Sequence, residues 1–291
     1  MNAERRYADA REATSRAIAI FTEALGADDV RLHYPITGLA NVYLALGDYA
    51  QAKALNERAI AIVEKAAGPT PLVTPNLNNL GGACFEGGDY DCAISAFRRA
   101  HALYEKSYGK KFFGTAVTLS NLAEALRAKG QADRALPLDE EAVATIESMF
   151  GKDEPNLAAL VVGLAETQRA LGNTAQARAT FGRALALEEK ALGHDHADLA
   201  APLTGIGETY LDEGKGELAR APLTRALALR EASAGDPFAR GETRFALARA
   251  LPRSAVERAR GLAVKARAEL VSAGPRGVAR AADVTQWLAR R

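Results

Sequence analysis

Gly172-Asn173-Thr174-Ala175-Gln176-Ala177 opens a unit that runs through an Ala/Leu-rich stretch to Leu192-Gly193. A short polar link and a second apolar stretch then lead to Gly214. The unit recurs along the chain. Its glycine returns at Gly47, Gly88, Gly130, Gly172 and Gly214, with spacings of 41, 42, 42 and 42 residues. Five residues after each glycine stands Ala52, Ala93, Ala135, Ala177 or Ala219, and twelve after it Ala59, Ala100, Ala142, Ala184 or Ala226. Seven before it the residue is always small: Ala40, Gly81, Ala123, Ala165, Gly207. A fixed period of this length marks a solenoid, in which each unit buries its apolar face against its neighbours.

The small residues have a mechanical reason. Where two helices cross closely, nothing larger than a methyl group fits, and Gly or Ala sets an interaxial distance near the low end of ~8–10 Å. The repeating glycine suits a turn whose left-handed residue ends one helix without steric cost. Asp48, Asp89 and Asn173 follow it and are positioned to cap the next helix. Asp48 with Gln51, and Asn173 with Gln176, have the spacing of a capping box.

These offsets resemble the tetratricopeptide repeat. The period exceeds the usual ~34 residues and resembles the kinesin-light-chain-like subclass, whose link reads Leu-Gly-x-Asp-His-Pro-x-x-Ala. The matching stretches are Leu192-Gly193-His194-Asp195-His196-Ala197-Asp198-Leu199-Ala200 and Phe150-Gly151-Lys152-Asp153-Glu154-Pro155-Asn156-Leu157-Ala158. The resemblance implies an all-α fold, a right-handed α-solenoid of stacked helical hairpins.

The expected organisation follows. Residues 1–27 form a half-repeat, a second helix without its first, because Tyr7-Ala8-Asp9-Ala10 and Ile18-Ala19-Ile20 align 42 residues ahead of Tyr49-Ala50-Gln51-Ala52 and Ile60-Ala61-Ile62. Residues 33–234 hold five full hairpins and 240–274 a degenerate sixth, in which Pro252 replaces the usual turn residues. Residues 275–291 form a capping helix, with Val278, Ala281, Val284, Trp287 and Leu288 on one face and Trp287 as its core anchor. The ending also resembles the repeat region at the C-terminus of certain bacterial Ser/Thr protein kinases. The chain contains neither His-Arg-Asp nor Asp-Phe-Gly.

Of the 291 residues, 48% are hydrophobic, and no run of about 18 apolar residues offers a membrane span. The N-terminal residues lack the apolar core of a secretory signal, so a cytoplasmic location is expected. Cys84 and Cys92 are read as two reduced thiols in one hairpin, against a disulfide or redox pair. The net charge of +1 is unevenly spread: residues 1–214 hold 21 basic and 29 acidic side chains, residues 215–291 hold 16 and 7. The basic end is read as a solvated surface, with an anionic partner as the functional alternative.

Little material for chemistry is present. His194-Asp195-His196 with Asp198 has two plausible ligands, short of the three or four a metal needs, and Asp195 is read as a helix cap. The glycines of Gly81–Gly88 are a packing position and a turn, with no Lys-Ser/Thr following for a phosphate loop. Glu64, Glu105, Glu147, Glu189 and Glu231 recur seventeen residues past each turn glycine and are read as a solvated or inter-repeat ion-pair row. No catalytic residue, metal or cofactor is expected.

What remains is a groove. The resemblance places groove side chains ten, six and three residues before each turn glycine. These are Thr37, Asn41 and Leu44; Asn78, Gly82 and Phe85; Ser120, Glu124 and Arg127; Val162, Glu166 and Arg169; and Thr204, Glu208 and Leu211. Arg127 and Arg169 stand at i+3 from Glu124 and Glu166 and are expected to offset them, leaving Glu208 the most acidic point. Glutamate stands where the family's carboxylate clamp carries Asn or basic residues, so acidic chaperone tails do not fit. The function expected is a non-catalytic scaffold for another protein or an extended peptide, without nucleic acid or membrane. The alternatives are the regulatory or docking region of a kinase polypeptide, and a self-assembling structural protein. The half-repeat implies self-association or an upstream domain.

Overall fold

The computed structural model describes residues 3–233 and 235–290. The first two residues of the expected half-repeat, Ala234 at the end of the fifth hairpin and Arg291 of the cap lie outside them. Every regular element among the described residues is helical. The chain divides into two compact units, Met1–Lys129 and Gly130–Arg291. The boundary falls at the turn glycine of the third expected hairpin.

The first unit contains α1 (Ala3–Leu25), α2 (His33–Ala45), α3 (Tyr49–Ala67), α4 (Thr74–Glu86), α5 (Tyr90–Tyr108) and α6 (Phe113–Ala128). Each helix packs on the next, and α2 also touches α4. The second unit contains α7 (Ala132–Phe150), α8 (Leu157–Ala170), α9 (Thr174–Leu192), α10 (Ala200–Asp212), α11 (Gly216–Ala232), α12 (Pro237–Ala250), α13 (Val256–Ser272) and α14 (Pro275–Ala289). Here too neighbours pack in sequence, and α10 touches both α8 and α12.

The turn glycines 47, 88, 130, 172 and 214 all adopt positive φ, between 73° and 81°. A second series, Gly26, Gly68, Gly109, Gly151 and Gly193, ends the long helices with φ between 69° and 91°. Each of the first four hairpins thus has two positions where a side chain would be strained, and the fifth, whose long helix ends at an extended Ser233, has one. Asp48 and Asp89 cap as expected, accepting from the backbone N–H of Gln51 and Cys92. Asn173 does not: its side chain makes no cap bond, and the first turn of α9 relies on backbone geometry.

The small residues sit where helices cross. A Cβ on Gly207 would stand 2.4 Å from Leu223 Cγ, and one on Gly81 2.4 Å from the Phe97 ring. Ala40, Ala123 and Ala165 are fully buried at the same position. In the last part of the chain α12 ends at Ala250 and Pro252 starts a one-turn 3-10 helix before α13. Trp287 packs edge-on to Phe245 at 5.7 Å, over Leu270, Ala281 and Val284. Val278 departs from its expected place. It is 53% exposed, because the inward position one residue earlier belongs to Gly277, whose absent Cβ would meet the Leu270 carbonyl at 2.0 Å.

The cysteines are also corrected. Cys84 of α4 and Cys92 of α5 form a disulfide across the turn, with Cα atoms 5.7 Å apart, and are not reduced thiols. The capping bond of Asp89 to the Cys92 N–H holds the start of α5 beside the end of α4, which brings the two sulfurs together. A bonded pair belongs to oxidising compartments or to redox-active proteins, so the cysteines lend no support to the expected compartment.

Candidate functional site

In the first unit the expected groove positions fall on α2, α4 and α6. Thr37 is half-buried and takes a hydrogen bond from Asn76 Nδ2 at 2.8 Å. The exposed Asn41 takes one from Asn79 Nδ2 at 2.7 Å. Asn78, the expected groove residue of α4, instead has its Oδ1 buried without a hydrogen-bond partner. One turn along, Gly82 faces open space: a Cβ there would meet nothing within 4 Å. Phe85 is only 9% exposed and lies against Tyr90 with ring centroids 5.6 Å apart, so it forms a floor. Leu44, Ser120 and Arg127 are half-buried and Glu124 is exposed.

In the second unit the positions fall on α8 and α10. Val162 is half-buried and Glu166 exposed; Thr204 is buried and shares a hydrogen bond with Thr243 of α12 at 2.9 Å. Leu211 packs against the cluster around Leu223. The charge pattern differs from expectation. Arg169 reaches across to α10, where Nη1 donates to Glu208 Oε2 at 2.5 Å and Nε to Asp212 Oδ2 at 2.6 Å. Glu208 is therefore not an uncompensated acid. Burial pushes its carboxyl above the ordinary range, and Glu242 adds to this, while Arg169, Arg280 and Arg249 oppose it. Further along, Arg280 of α14 donates to Glu242 of α12 at 2.6 Å.

Asn76, Asn79, Glu242, Thr243 and Arg280 take part in these contacts and were missed by the sequence reading, while Asp212 is expected from sequence only to add to the acidity beside Glu208. The signal was present in the spacing. Equivalent residues are 41 or 42 apart, yet the partners across neighbouring first helices are 38 or 39 apart: Asn41 with Asn79, Arg169 with Glu208, Thr204 with Thr243, Glu242 with Arg280. Helical side chains lean toward the N-terminus of their own helix and adjacent axes cross at an angle. These four pairs therefore meet about one turn out of register, while Arg169 also reaches Asp212, 43 residues on.

The chemical temptations resolve into structural roles. His194 Nδ1 lies 3.3 Å from Glu189, while His196 Nδ1 accepts from the Asp198 N–H at the start of a one-turn helix. The cap is thus His196 and not Asp195. The glutamate row forms inter-repeat ion pairs at Glu64 with Arg99, Glu147 with Arg183 at 2.6 Å, Glu189 with Arg225 at 2.8 Å, and Glu231 with Arg244 at 2.8 Å. Among the described residues, one group of three metal-type donors converges, Cys84, Asp89 and Cys92, and its two sulfurs are bonded to each other.

The sequence profile of the tetratricopeptide repeat matches residues 2–65, 31–106, 73–148, 114–190 and 156–232, which together span most of the chain. The chain belongs to the tetratricopeptide-repeat family. No curated protein matches it. Among solved structures it is similar to BtubC (BKLC) from P. vanneervenii, with 22% identity over 80% of this chain and 92% of that one and a TM-score of 0.63. It is also similar to a putative kinesin light chain of Podosopora anserina with nearly identical TPR-like repeats. There the identity is 21% over 70% of this chain and 98% of that one, with a TM-score of 0.53. The apo form of RapI aligns with a TM-score of 0.66 at 12% identity, over 82% of this chain and 83% of that one. At these identities the likeness is one of fold: a tetratricopeptide solenoid, with kinesin-light-chain-like arrays among its neighbours.

Proposed function

We propose that the chain is a non-catalytic scaffold and that the first helices of the first unit, α2 and α4, hold an extended peptide of another protein. The observation that carries this is the pairing of Asn78 with Gly82 on one face of α4. A buried amide oxygen without a partner costs ~1–3 kcal/mol, and here it stands one turn from a position left open by glycine. If the half-buried Asn78 side chain turns toward the open side of Gly82, its amide oxygen can accept from a peptide backbone N–H, and the exposed Asn41–Asn79 amide pair offers further main-chain contacts. Leu44 and the Phe85 floor suit an apolar side chain. On α8 and α10, Arg169 offsets part of the charge of Glu208 and Asp212, and the three are proposed to orient a ligand more than to attract it.

The reading is tested with peptides selected from a random displayed library on the intact protein, with affinities from fluorescence anisotropy. Asn41→Ala combined with Asn78→Ala should weaken the selected peptides about tenfold, the worth of one or two hydrogen bonds. Gly82→Leu should block them by filling the open space. Undiminished binding by both variants overturns the assignment.

A further inference from the structure

The second helices carry a repeating surface, and the last of them departs from it. Glutamate stands seventeen residues past each turn glycine from Glu64 to Glu231, and arginine eleven past the next turn completes the pairs Glu64–Arg99, Glu147–Arg183 and Glu189–Arg225. In α13 the register is set by Ala259 and Ala266, both fully buried like Ala52 and Ala59. That register places Val271 at the glutamate position and Lys265 at the arginine position. Val264, seven residues before Val271, stands where the first three hairpins have Glu57, Arg98 and Glu140 and the next two have Gly182 and Thr224. Val264 is 49% exposed and Val271 52%.

At 3.6 residues per turn, the exposed Gly261, Val264, Ala268 and Val271 form one narrow strip on α13. Arg260 and Arg267 border it on one side, Arg258 and Lys265 on the other, with Glu257 at its N-terminal end. Lys265 lacks the carboxylate that the repeat supplies at its position in Glu64–Arg99, Glu147–Arg183 and Glu189–Arg225. Glu231, the counterpart in register for Lys265, is drawn instead to Arg244 at 2.8 Å. Among the described residues Arg258, Lys265 and Arg267 make no ion pair, and Arg260 donates to the Leu288 carbonyl. The stretch that carries them, residues 215–291, holds 16 basic against 7 acidic side chains.

We infer that this outward face of α13 is a docking surface for an acidic amphipathic helix of another protein. An apolar strip one helix wide, lined by cations on both sides, is the complement of a helix with an apolar stripe between two rows of Glu or Asp. A lipid surface fits less well. The strip holds only valine, alanine and glycine, without the Trp, Phe or Leu of membrane-seated helices, and the opposite side of α13 is held by α12 and α14.

The test uses the full chain and a labelled helical peptide of about 18 residues, with leucines at i, i+3 and i+4 spacing bordered by glutamates. One control has the same composition in scrambled order, and a second has lysine for glutamate. Anisotropy should show binding of the patterned peptide alone, weakened about tenfold between about 50 and about 300 mM salt. Val271→Glu should reduce affinity at least about tenfold, and so should Lys265→Glu with Arg267→Glu. Val271→Glu introduces the residue that five other hairpins already carry, so its fold should be unchanged by circular dichroism and thermal melting. Equal binding of the scrambled peptide, or undiminished binding by both variants, overturns the proposal. Capture by vesicles containing anionic phospholipid without any peptide binding overturns it as well. So does a second copy of the chain as occupant, seen as an oligomer mass that Val271→Glu abolishes.

Discussion

Arg169 on α8 and Glu208 on α10 are joined at 2.5 Å although the repeat does not place them at equivalent positions. The guanidinium also holds Asp212 and lies near Glu166. Burial alone would lower the Arg169 pKa, but these carboxylates outweigh it and the pKa is raised. The pair is enclosed enough that removing one partner strands the other.

Arg169→Met is therefore expected to destabilise the protein by about 1–3 kcal/mol, the cost of a buried group left without its partner. Glu208, already raised by burial, would lose its principal counter-charge. Its stability contribution would fall further as pH rises above the ordinary carboxylate range. Urea unfolding of both proteins at acid and neutral pH measures this, and the difference should be larger at neutral pH.

Glu188 gives a second pH dependence. It is buried on α9 with Oε2 unpartnered, and burial, aided by Asp198, raises its pKa from 4.5 to about 7. The folded state thus binds the proton more tightly than the unfolded chain. This group favours folding most below pH 4.5 and loses that advantage as pH rises toward 7. At ~1.4 kcal/mol per pH unit the loss amounts to up to about 3 kcal/mol. Glu188→Gln should remove the slope and raise the urea midpoint above neutral pH, with the wild type gaining on it as pH falls to 4.5.

Glycine at helix crossings and glycine on open faces should respond in opposite directions. Gly205→Ala places a Cβ 2.3 Å from the Phe181 ring and Gly207→Ala one 2.4 Å from Leu223, so each should cost about 1–3 kcal/mol by overpacking. Gly182→Ala meets nothing within 4 Å inside α9 and should stabilise by about 0.5–1 kcal/mol. Melting temperatures of the three variants settle the register, and equal values would refute it.

The disulfide closes a short loop, with a sequence separation of 8. Chain-entropy reasoning then gives it roughly 2–3 kcal/mol. Reductant, or Cys84→Ala with Cys92→Ala, should lower the melting temperature, and alkylation followed by mass spectrometry should find both thiols blocked before reduction. Full alkylation of the untreated protein would show that the bond does not form.

Features that answer a local, repeated requirement are legible in the residues alone. Gly47 through Gly214 need positive φ at a turn, and Ala40 through Gly207 need to be small where helices cross. The same conditions recur in every unit, so the period exposes them. Tertiary structure alone decided which side chains meet. Arg169 sits at i+3 from Glu166, yet it joins Glu208 and Asp212 across the stack, and Asn79, not Asn78, meets Asn41. Val278 turns outward because Gly277 claims the approach to Leu270, and Cys84 meets Cys92 through the capped turn between α4 and α5. Periodicity fixes the face on which a residue stands. The angle and offset at which neighbouring helices cross choose its partner, and these follow from packing summed over each unit.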